Sequence, residues 1–330
     1  MHTDKLVDGK SVSIAAKLLA QGELVAVPTE TVYGLAADAR QPHAVAKIFA
    51  AKGRPADHPL IVHIPNASKL QDWAKTVPDT ALLLAEAFWP GPLTLILEKQ
   101  EMVSDVVTGG HPSVGLRCPA HPLMLALLNE LDTGLAAPSA NPYKKISPTT
   151  AEQVLFGLSG KIAAVLDGGP CEVGLESTIV DLTSTTPRIL RAGPISKTQI
   201  EAVLGVPVDM PKKHNVAVSG NVKAHYQPNK PLYAFSTADL QSRLLHAGEN
   251  KAVLYFNESL NEAISHTKVV SLKLADNKAD YAKGLYHGLF TLDQADVSEI
   301  WLELPPTNDE WADVQDRLSR AITELTETNE

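Results

Sequence analysis

The sequence predicts an α/β protein with two domains, a twisted mixed sheet flanked by helices and then a smaller α/β domain. The chain has 330 residues, 44% of them apolar, which is enough for two hydrophobic cores. Short apolar runs alternate with segments of helical period, as in α/β proteins. This alternation is interrupted at residues 206–230, which are rich in Pro, Lys, Asn, Gly and Ser. We therefore expect domains at 1–205 and 231–330, joined by a linker at 206–230.

The first domain contains apolar runs of strand length between amphipathic segments. Because those runs are continuous rather than alternating, they predict a mixed or parallel sheet covered on both faces. The predicted strands are 24–27, 60–64, 93–97, 114–118, 135–137, 162–166 and 178–182. The predicted helices are one around Ile14 to Leu19 and those at 44–51, 80–88, 123–131 and 150–156.

The second domain repeats the alternation on a smaller scale. Predicted strands are 232–235, 252–256, 268–272 and 300–304, and predicted helices are 237–246, 279–292 and one through Leu318 and Ile322. Acidic side chains, Glu303 among them, recur between residues 299 and 330. We interpret them as a solvated helix face and an exposed tail.

Composition excludes several classes of protein. A formal net charge of -9 argues against broad electrostatic attraction to nucleic acid. The two cysteines, Cys118 and Cys171, lack C-x-x-C spacing, which argues against a disulfide framework and a thiolate metal site. No window reaches the roughly 18 apolar residues of a membrane span, and no signal peptide is visible. The sequence predicts a cytoplasmic protein without a membrane partner.

Familiar catalytic motifs are also absent. The Gly-Lys-Ser at residues 9–11 resembles the end of a phosphate-binding loop, but Asp4 stands where its first glycine should be. His58 and His63 are separated by Pro59 and by five positions rather than one helical turn, so they do not form a zinc-protease helix. Ser139 lacks the flanking glycines of a nucleophile elbow.

Two cations lie in the stretch "FAAKGRPADHPLIVHI". Gly53 is expected to end a helix, and Pro55 prevents its continuation. If the chain is extended there, Lys52 and Arg54 project to the same side. Such a pair suits a polyphosphate, although an exposed basic turn fits the residues equally well.

Further polar side chains stand at predicted strand ends. Arg117 lies in an apolar strand and needs an anionic partner, either a carboxylate of the protein or one of a ligand. The stretch "VPTETVYGL" places hydroxyls at the mouth of the sheet, where α/β proteins bind ligands. The loop "APSANPYKKISPTT" offers more hydroxyls, of which Ser147 or Thr149 is expected to cap the next helix.

In their order along the chain, these segments resemble the YrdC-type threonylcarbamoyl-AMP synthases in their long, two-domain form. The matching segments are "PTETVYGL", "KGRPADHPL", "FWPGPLTLIL", "VGLRCPAHP", "APSANPYKKISPTTAEQV", "LDGGPCEVGLESTIVD", "ILRAGPI", "AHYQPNKPL" and, further on, "DYAKGLYHGLFTLD" and "DRLSRA". The resemblance implies a YrdC-like sheet and a Rossmann-like C-terminal domain. It also implies a nucleotidyltransferase that makes L-threonylcarbamoyladenylate from L-threonine, bicarbonate and ATP, releasing pyrophosphate.

The resemblance assigns site residues position by position. The family's Lys-x-Arg and Ser-x-Asn motifs fall on Lys52, Arg54, Ser139 and Asn141, the catalytic set and core phosphate contacts. The implied ATP set is Arg54, His58, Ser113, Ser139, Ser147, Arg191 and Tyr226. The implied threonine set is Thr31, His63, Arg117, the backbone at Ala137, and Ser177. From the residues alone, His63 would be a core histidine. Mg²⁺ is expected on the triphosphate, with no dedicated protein ligands.

The resemblance also suggests partners and a lid. The product would pass to a separate complex that modifies adenosine in tRNA, and Tyr226 in the linker would close over the active site to exclude water. The chain departs from the family at Ser219-Gly220-Asn221, where Pro-Gly-Met is common, and at Lys144-Lys145, where small residues are common. The alternative function is an RNA-binding module whose concave basic surface comprises Lys52, Arg54, Arg117, Lys144, Lys145 and Arg191.

Overall fold

A computed structural model describes residues 2–7, 9–211, 216, 218 and 224–323. The chain forms two compact units. The first comprises Met1–Tyr143 and Ser147–Asn221, and the second comprises Lys144–Ile146 and Val222–Glu330. A three-residue segment of the N-terminal half of the sequence therefore belongs to the second unit. No helix in the described ranges has the length and apolar character needed to cross a bilayer.

The first unit is built on a ten-stranded mixed sheet with the order β1-β8-β2-β3-β7-β4-β6-β5-β9-β10. The strands are β1 Asp4–Leu6, β2 Val25–Val27, β3 Gly34–Asp38, β4 Ile61–His63, β5 Leu93–Glu98, β6 Ser113–Arg117, β7 Leu135–Ala136, β8 Ala164–Leu166, β9 Thr178–Asp181 and β10 Arg188–Arg191. The helices are α1 Ser11–Ala20, α2 Pro42–Lys52, α3 Asp79–Phe88, α4 Asp105–Thr108, α5 Pro122–Leu131, α6 Ala151–Leu158 and α7 Lys197–Leu204.

The two faces of this sheet are covered differently. On one face, alternate strand residues such as Val62, Leu95 and Leu116 pack with helices α2, α3, α6 and α7 in one large core. On the other face, helices α1 and α5 cover strands β8, β2, β3 and β7. Over β4, β6, β5 and β9, that second face carries a small cluster of strand side chains, joined by Val216 and Val218 instead of a helix. Among the described residues, strand side chains and the two valines line this half of the second face, and we place the candidate site there.

Local sequence explains how the elements that border the site begin and end. Helix α2 starts with Pro42, whose fixed φ suits the first helical turn, and ends at Gly53, whose φ of 65° is left-handed. Lys52 is therefore the last helical residue, and the extended conformation considered for Lys52 to Arg54 does not occur. Helix α6 is capped by the hydroxyl of Thr150, not by Ser147 or Thr149.

The second unit contains a four-stranded parallel sheet with the order β11-β14-β12-β13. Its strands are β11 Leu232–Phe235, β12 Lys251–Tyr255, β13 Val270–Lys273 and β14 Glu299–Glu303, and its helices are α8 Thr237–Leu244, α9 Asn261–Ser265, α10 Lys278–Gln294 and α11 Ala312–Ala321. The α/β fold class and the small Rossmann-like domain are confirmed.

The differences from prediction have identifiable causes. Strand β3 was missed because its Gly-Leu-Ala-Ala-Asp sequence lacks β-branched residues. Helix α7 was missed although Ser196 and Gln199 form a capping box, which is a recognisable start signal. Glu303, predicted to be solvated, is fully buried and accepts hydrogen bonds from Thr237 Oγ1 and the N–H groups of Phe256 and Asn257.

Each end of the predicted linker is tied to its own unit by hydrogen bonds. Asp209 bonds through its backbone to Pro187 and Ile189 beside β10. Asn229 donates to Asp293 through both its backbone N–H and its amide. Ser219, Gly220 and Asn221, where the chain departs from the family, lie outside the described residues.

Candidate active site

The candidate site lies on the second face of the first sheet, over β4, β6, β5 and β9, where the described part of the chain places no covering helix. Strands β4 and β6 are parallel and place His63 directly beside Arg117. Strand β5 adds Thr94 on the same face, and Ser177 immediately precedes β9. All four are less than 5% exposed. The fold thus brings polar side chains from distant parts of the sequence into one buried row.

His63 is a neutral, buried imidazole in this row. Burial, reinforced by the positive charge of Arg117, lowers its pKa from 6.5 to about 3. Its Nδ1 atom is buried and has no hydrogen-bond partner within 3.5 Å among the described residues. Buried polar atoms are normally satisfied, so this nitrogen is suited to a ligand.

Arg117 has a protein partner. Its Nη2 donates to Oε1 of Glu30 at 2.6 Å, and its Nε donates to the carbonyl oxygen of Gly91 at 3.2 Å. The sequence required an anionic partner and left open whether protein or ligand supplies it, and Glu30 is that partner in the protein. Nη1 makes no hydrogen bond within the described ranges, which leaves one arm of the guanidinium for a ligand.

Thr31 is fixed by a tight turn between β2 and β3. The hydroxyl of Thr29 donates to the carbonyl of Val32 and accepts from the N–H groups of Thr31 and Val32. The Thr31 hydroxyl lies 2.9 Å from Thr29 Oγ1, within hydrogen-bond distance. The remaining lone pairs of Thr31 are its capacity for a ligand.

Ser177 and Arg191 are coupled to each other. Arg191, at the end of β10, donates from Nε to the carbonyl oxygen of Ser177 and from Nη2 to its Oγ, both at 3.0 Å. The Ser177 hydroxyl is also 2.8 Å from that of Thr94. Sequence reasoning missed Thr94, although a lone hydroxyl in the apolar run "LTLIL" was a usable signal.

An apolar row lies next to the polar one. It consists of strand side chains and the two linker valines: Ile61, Ile96, Ile179, Leu190, Val216 and Val218. Gly115 lies within this row, opposite Ile61 and Ile96, and a Cβ there would come within 3.2 Å of Ile96 and 3.4 Å of Ile61. Because Gly115 has no side chain, the space above the strand at this position stays open. Ser113, two residues earlier, lines both this crevice and an adjoining groove of about 510 Å³ that also includes Lys75 and Lys99.

Lys52 faces protein carbonyls. Its Nζ donates to the carbonyl oxygens of Ser139 and Asn141, both at 2.5 Å, and the residue is 4% exposed. Burial, followed by the nearby charge of Arg54, lowers its pKa well below the ordinary value. In this structure Lys52 therefore anchors the loop that carries the Ser-x-Asn motif.

Arg54 and His58 lie close to each other near that anchor. Arg54 is 8% exposed and donates from Nη2 to the carbonyl oxygen of Pro59 at 3.2 Å. The His58 ring lies edge-on to that of Tyr143, with centroids 5.7 Å apart. Partial burial and then the charge of Arg54 lower the pKa of His58. A partly buried arginine beside an imidazole is suited to a phosphate.

The loop from Ala137 to Ser147 is held to the sheet by backbone pairing. Ala137 donates its N–H to Ile61, so a ligand contact at Ala137 falls to its carbonyl oxygen. Ser139 forms a bridge with Gly34, and it is half-buried. Ser147 is fully buried, and its hydroxyl donates to Glu176 at 2.6 Å.

Tyr226 lies in the second unit and has a left-handed φ of 61°. Its ring stacks on Tyr286 with a centroid separation of 5.7 Å, and the Arg317 guanidinium lies 5.6 Å from its ring centroid. The next residue, Gln227, donates its N–H to the carbonyl of Lys144 at 2.9 Å. The chain after Tyr226 is thus paired with Lys144–Ile146, the three loop residues that belong to the same unit.

The arrangement bears on metal and RNA binding. In the part of the chain that the structure describes, no group of three or more His, Cys, Asp or Glu side chains could hold a metal ion.

The concave basic surface considered for RNA binding would require exposed cations. Four of the six basic residues considered for it, Lys52, Arg54, Arg117 and Arg191, are less than 9% exposed. Their burial disfavours RNA binding through this set.

Two family models match the chain. One, described as telomere recombination and covering the Sua5, YciO and YrdC proteins, matches residues 17–193. The other, described as the C-terminal domain of threonylcarbamoyl-AMP synthase, matches residues 195–322.

Individual relatives and solved structures agree with these matches. The chain is 40% identical to a threonylcarbamoyl-AMP synthase of Bacillus subtilis, over 97% of this chain and 95% of that one. It is 46% identical to one of Pyrococcus abyssi, over 66% of each chain. A crystal structure of P. abyssi Sua5 complexed with L-threonine superimposes with a TM-score of 0.87 and 35% identity, over 98% of this chain and 99% of that one. The chain therefore belongs to the threonylcarbamoyl-AMP synthase family, in the form that carries the family's C-terminal domain.

Proposed function

We propose that this enzyme synthesises L-threonylcarbamoyladenylate from L-threonine, bicarbonate and ATP, and releases pyrophosphate. The names of its relatives support the product, and the threonine complex of P. abyssi Sua5 supports the amino acid substrate. The reaction is that of a nucleotidyltransferase, because an adenylyl group is transferred to an acid. The product would serve a separate complex that forms threonylcarbamoyladenosine in tRNA.

The observation that carries the proposal is the adjacency of His63 and Arg117 in the buried polar row of the first sheet. The open arm of Arg117 is suited to the α-carboxylate of threonine, since guanidinium and carboxylate form strong charge-assisted hydrogen bonds. The neutral imidazole of His63 is suited to a hydroxyl or amine without repelling it. Thr31, Ser177 and the carbonyl of Ala137 supply further polar contacts in this proposal.

ATP would occupy the neighbouring part of the site. The proposed phosphate contacts are Arg54, His58, Ser113, Ser139, Ser147 and Arg191, with Lys52 and Asn141 completing the motif pair. The apolar row beside Gly115 is suited to the flat, apolar faces of the adenine ring. Mg²⁺ would accompany the triphosphate through ATP oxygens and water, because magnesium retains waters and binds mainly to phosphates in such sites.

The chemistry asks for positioning and charge stabilisation. The amine of threonine first takes up bicarbonate with loss of water, which gives an N-carboxylate. An oxygen of that carboxylate then attacks the α-phosphorus of ATP, and the bond to the bridging oxygen of pyrophosphate breaks. Arg54 near the reacting phosphates would stabilise the charge that develops there. Tyr226 would complete the ATP set by closing over the labile adenylate to exclude water.

A direct assay tests the proposal. Purified protein is incubated with ATP, bicarbonate and isotopically labelled L-threonine, and pyrophosphate and adenylates are quantified. We expect pyrophosphate and a threonine-containing adenylate in equal amounts, and neither product without threonine. Equal pyrophosphate release with L-serine, or with no amino acid, would contradict the proposed function.

A further inference from the structure

Glu30 is a buried carboxylate at the edge of the proposed threonine site. It is 7% exposed and lies in the turn between β2 and β3, next to Thr31. Its Oε1 accepts from Arg117 Nη2 at 2.6 Å, and its Oε2 accepts from the N–H of Ala120 at 2.9 Å. Its carbonyl oxygen accepts from the N–H of Val173 at 2.7 Å. The residue is thus held from three directions, and each carboxylate oxygen has its own donor.

These contacts restrict the guanidinium of Arg117. Glu30 holds Nη2, and the Gly91 carbonyl holds Nε. Two contacts on one edge of a planar group fix its orientation as well as its position. The opposite corner, Nη1, makes no hydrogen bond in the described residues, and Arg117 is 4% exposed. The direction in which Arg117 presents its remaining donor is therefore set by Glu30.

We propose that Glu30 is a positioning residue for the amino acid substrate: its carboxylate orients Arg117 so that Nη1 receives the α-carboxylate of L-threonine. The inference rests on the proposed function, in which Arg117 binds that carboxylate. Glu30 itself does not touch the substrate. Its contribution is preorganisation, which lowers the cost of ordering a long side chain when the ligand binds.

The role requires a carboxylate at this position. A glutamine has one acceptor oxygen and one amide nitrogen, which only donates. Glu30 receives two donors, so in Glu30→Gln either Arg117 or Ala120 would face an N–H group. Glu30→Asp keeps both acceptor oxygens and the charge but is one methylene shorter. Glu30→Asp therefore tests whether the length of the side chain matters when the carboxylate and its charge are kept.

A matched control exists in the second unit. Asp313 is 2% exposed, and its Oδ2 accepts from Lys278 Nζ at 2.7 Å while its Oδ1 accepts from the N–H of Val314 at 2.8 Å. Asp313→Asn therefore removes the same combination of a buried ion pair and a backbone acceptor, outside the proposed site. It should lower stability without changing threonine binding.

The experiment compares binding of L-threonine and of L-threoninol, which lacks the carboxylate, by isothermal titration calorimetry on the full chain. In Glu30→Gln we expect threonine affinity to fall about 10-fold or more while threoninol affinity stays within about 2-fold, because only the carboxylate contact is lost. The KM for threonine should rise in parallel, with an unchanged KM for ATP. Glu30→Asp should lie between wild type and Glu30→Gln.

Three outcomes distinguish the possibilities. Wild-type preference for threonine over threoninol in both Glu30 variants would overturn the positioning role. If Glu30→Gln does not fold, the same measurement on Glu30→Asp replaces it, since an unchanged preference there also overturns the role. If Arg117→Lys binds threonine as tightly as wild type, it is the proposed threonine site that fails, whatever the Glu30 variants show.

Discussion

The Nζ atom of Lys52 lies 2.5 Å from the carbonyl oxygen of Asn141, and the same distance separates it from the carbonyl oxygen of Ser139. The buried amino group of Lys52, at the end of α2, thus holds the backbone of a loop nearly ninety residues away in the sequence. Through these two hydrogen bonds, Lys52 supports the loop that carries the Ser-x-Asn motif. Arg54, two residues later, is the residue of the pair that we propose for the reacting phosphates.

We predict that Lys52→Met is damaging because it removes this clamp. Two buried carbonyl oxygens lose their donor, and each unsatisfied group costs about 1–3 kcal/mol. We expect a lower thermal midpoint and a rise in KM for ATP as the Ser139–Asn141 loop loosens. The control is Lys47→Met, since Lys47 lies on the same helix and donates to the Gly22 carbonyl at 2.8 Å away from the site. Equal effects of the two variants on KM for ATP would contradict the clamp.

Arg54→Ala tests the phosphate contact. If Arg54 stabilises the reacting phosphates, its loss should remove about 2–4 kcal/mol of transition-state stabilisation. The rate of pyrophosphate release at saturating substrate should fall accordingly. That energy corresponds to about 30-fold to 1000-fold in rate. Arg40→Ala provides the comparison, because the Arg40 guanidinium lies over the Trp73 ring, 5.8 Å from its centroid. Activity within a few-fold of wild type in Arg54→Ala would remove Arg54 from the phosphate set.

His63 should make the first unit sensitive to acid. Its pKa is about 3 in the folded protein and 6.5 ordinarily, so between these values the unfolded chain binds a proton that the folded chain does not. Stability therefore falls as the pH drops from about 6.5 towards 3, by about 1.4 kcal/mol per pH unit. His63→Leu should lack this component.

The measurement is urea unfolding at pH 6.5, 5.5 and 4.5, followed by hydrogen-exchange mass spectrometry of the peptide over β4. As the pH falls, the free energy of unfolding of wild type should decrease more than that of His63→Leu. The exposed His266 supplies the comparison through His266→Leu. A difference between wild type and His63→Leu that does not vary with pH would show that the His63 imidazole is protonated as readily in the folded protein as in the unfolded chain.

Tyr226→Ala tests the proposed lid. If Tyr226 keeps water from the adenylate, the variant should release pyrophosphate but yield less intact adenylate for each pyrophosphate formed. Tyr281→Ala controls for lost packing in the second unit, where Tyr281 is buried against Trp311 with centroids 5.1 Å apart. Both variants should be destabilised, by about 3–5 kcal/mol for a fully buried aromatic ring. An unchanged ratio of adenylate to pyrophosphate in Tyr226→Ala would exclude the lid.

The α/β class, most strands and helices, and the family could all be read from the sequence. Those features depend on near neighbours: the apolar period decides an element, and Gly53 ends α2 because only glycine enters the left-handed region at little cost. The family could be identified from the order of its motifs, because each motif is a short stretch of neighbouring residues that can be read without the structure. The residues that the family assigns to the site remain predictions for this chain.

The tertiary structure alone decided which polar groups meet. Arg117 demanded an anion, but the identity of Glu30 depends on the pairing of strands and turns 87 residues apart. The carbonyl partners of Lys52 could not be read from the sequence, and Glu303 was predicted to be solvated although β14 places it under two backbone N–H groups. In each case the sequence determined that a buried charge or polar group needs a partner. The choice of partner is a long-range property, because it follows from which strands and loops lie side by side.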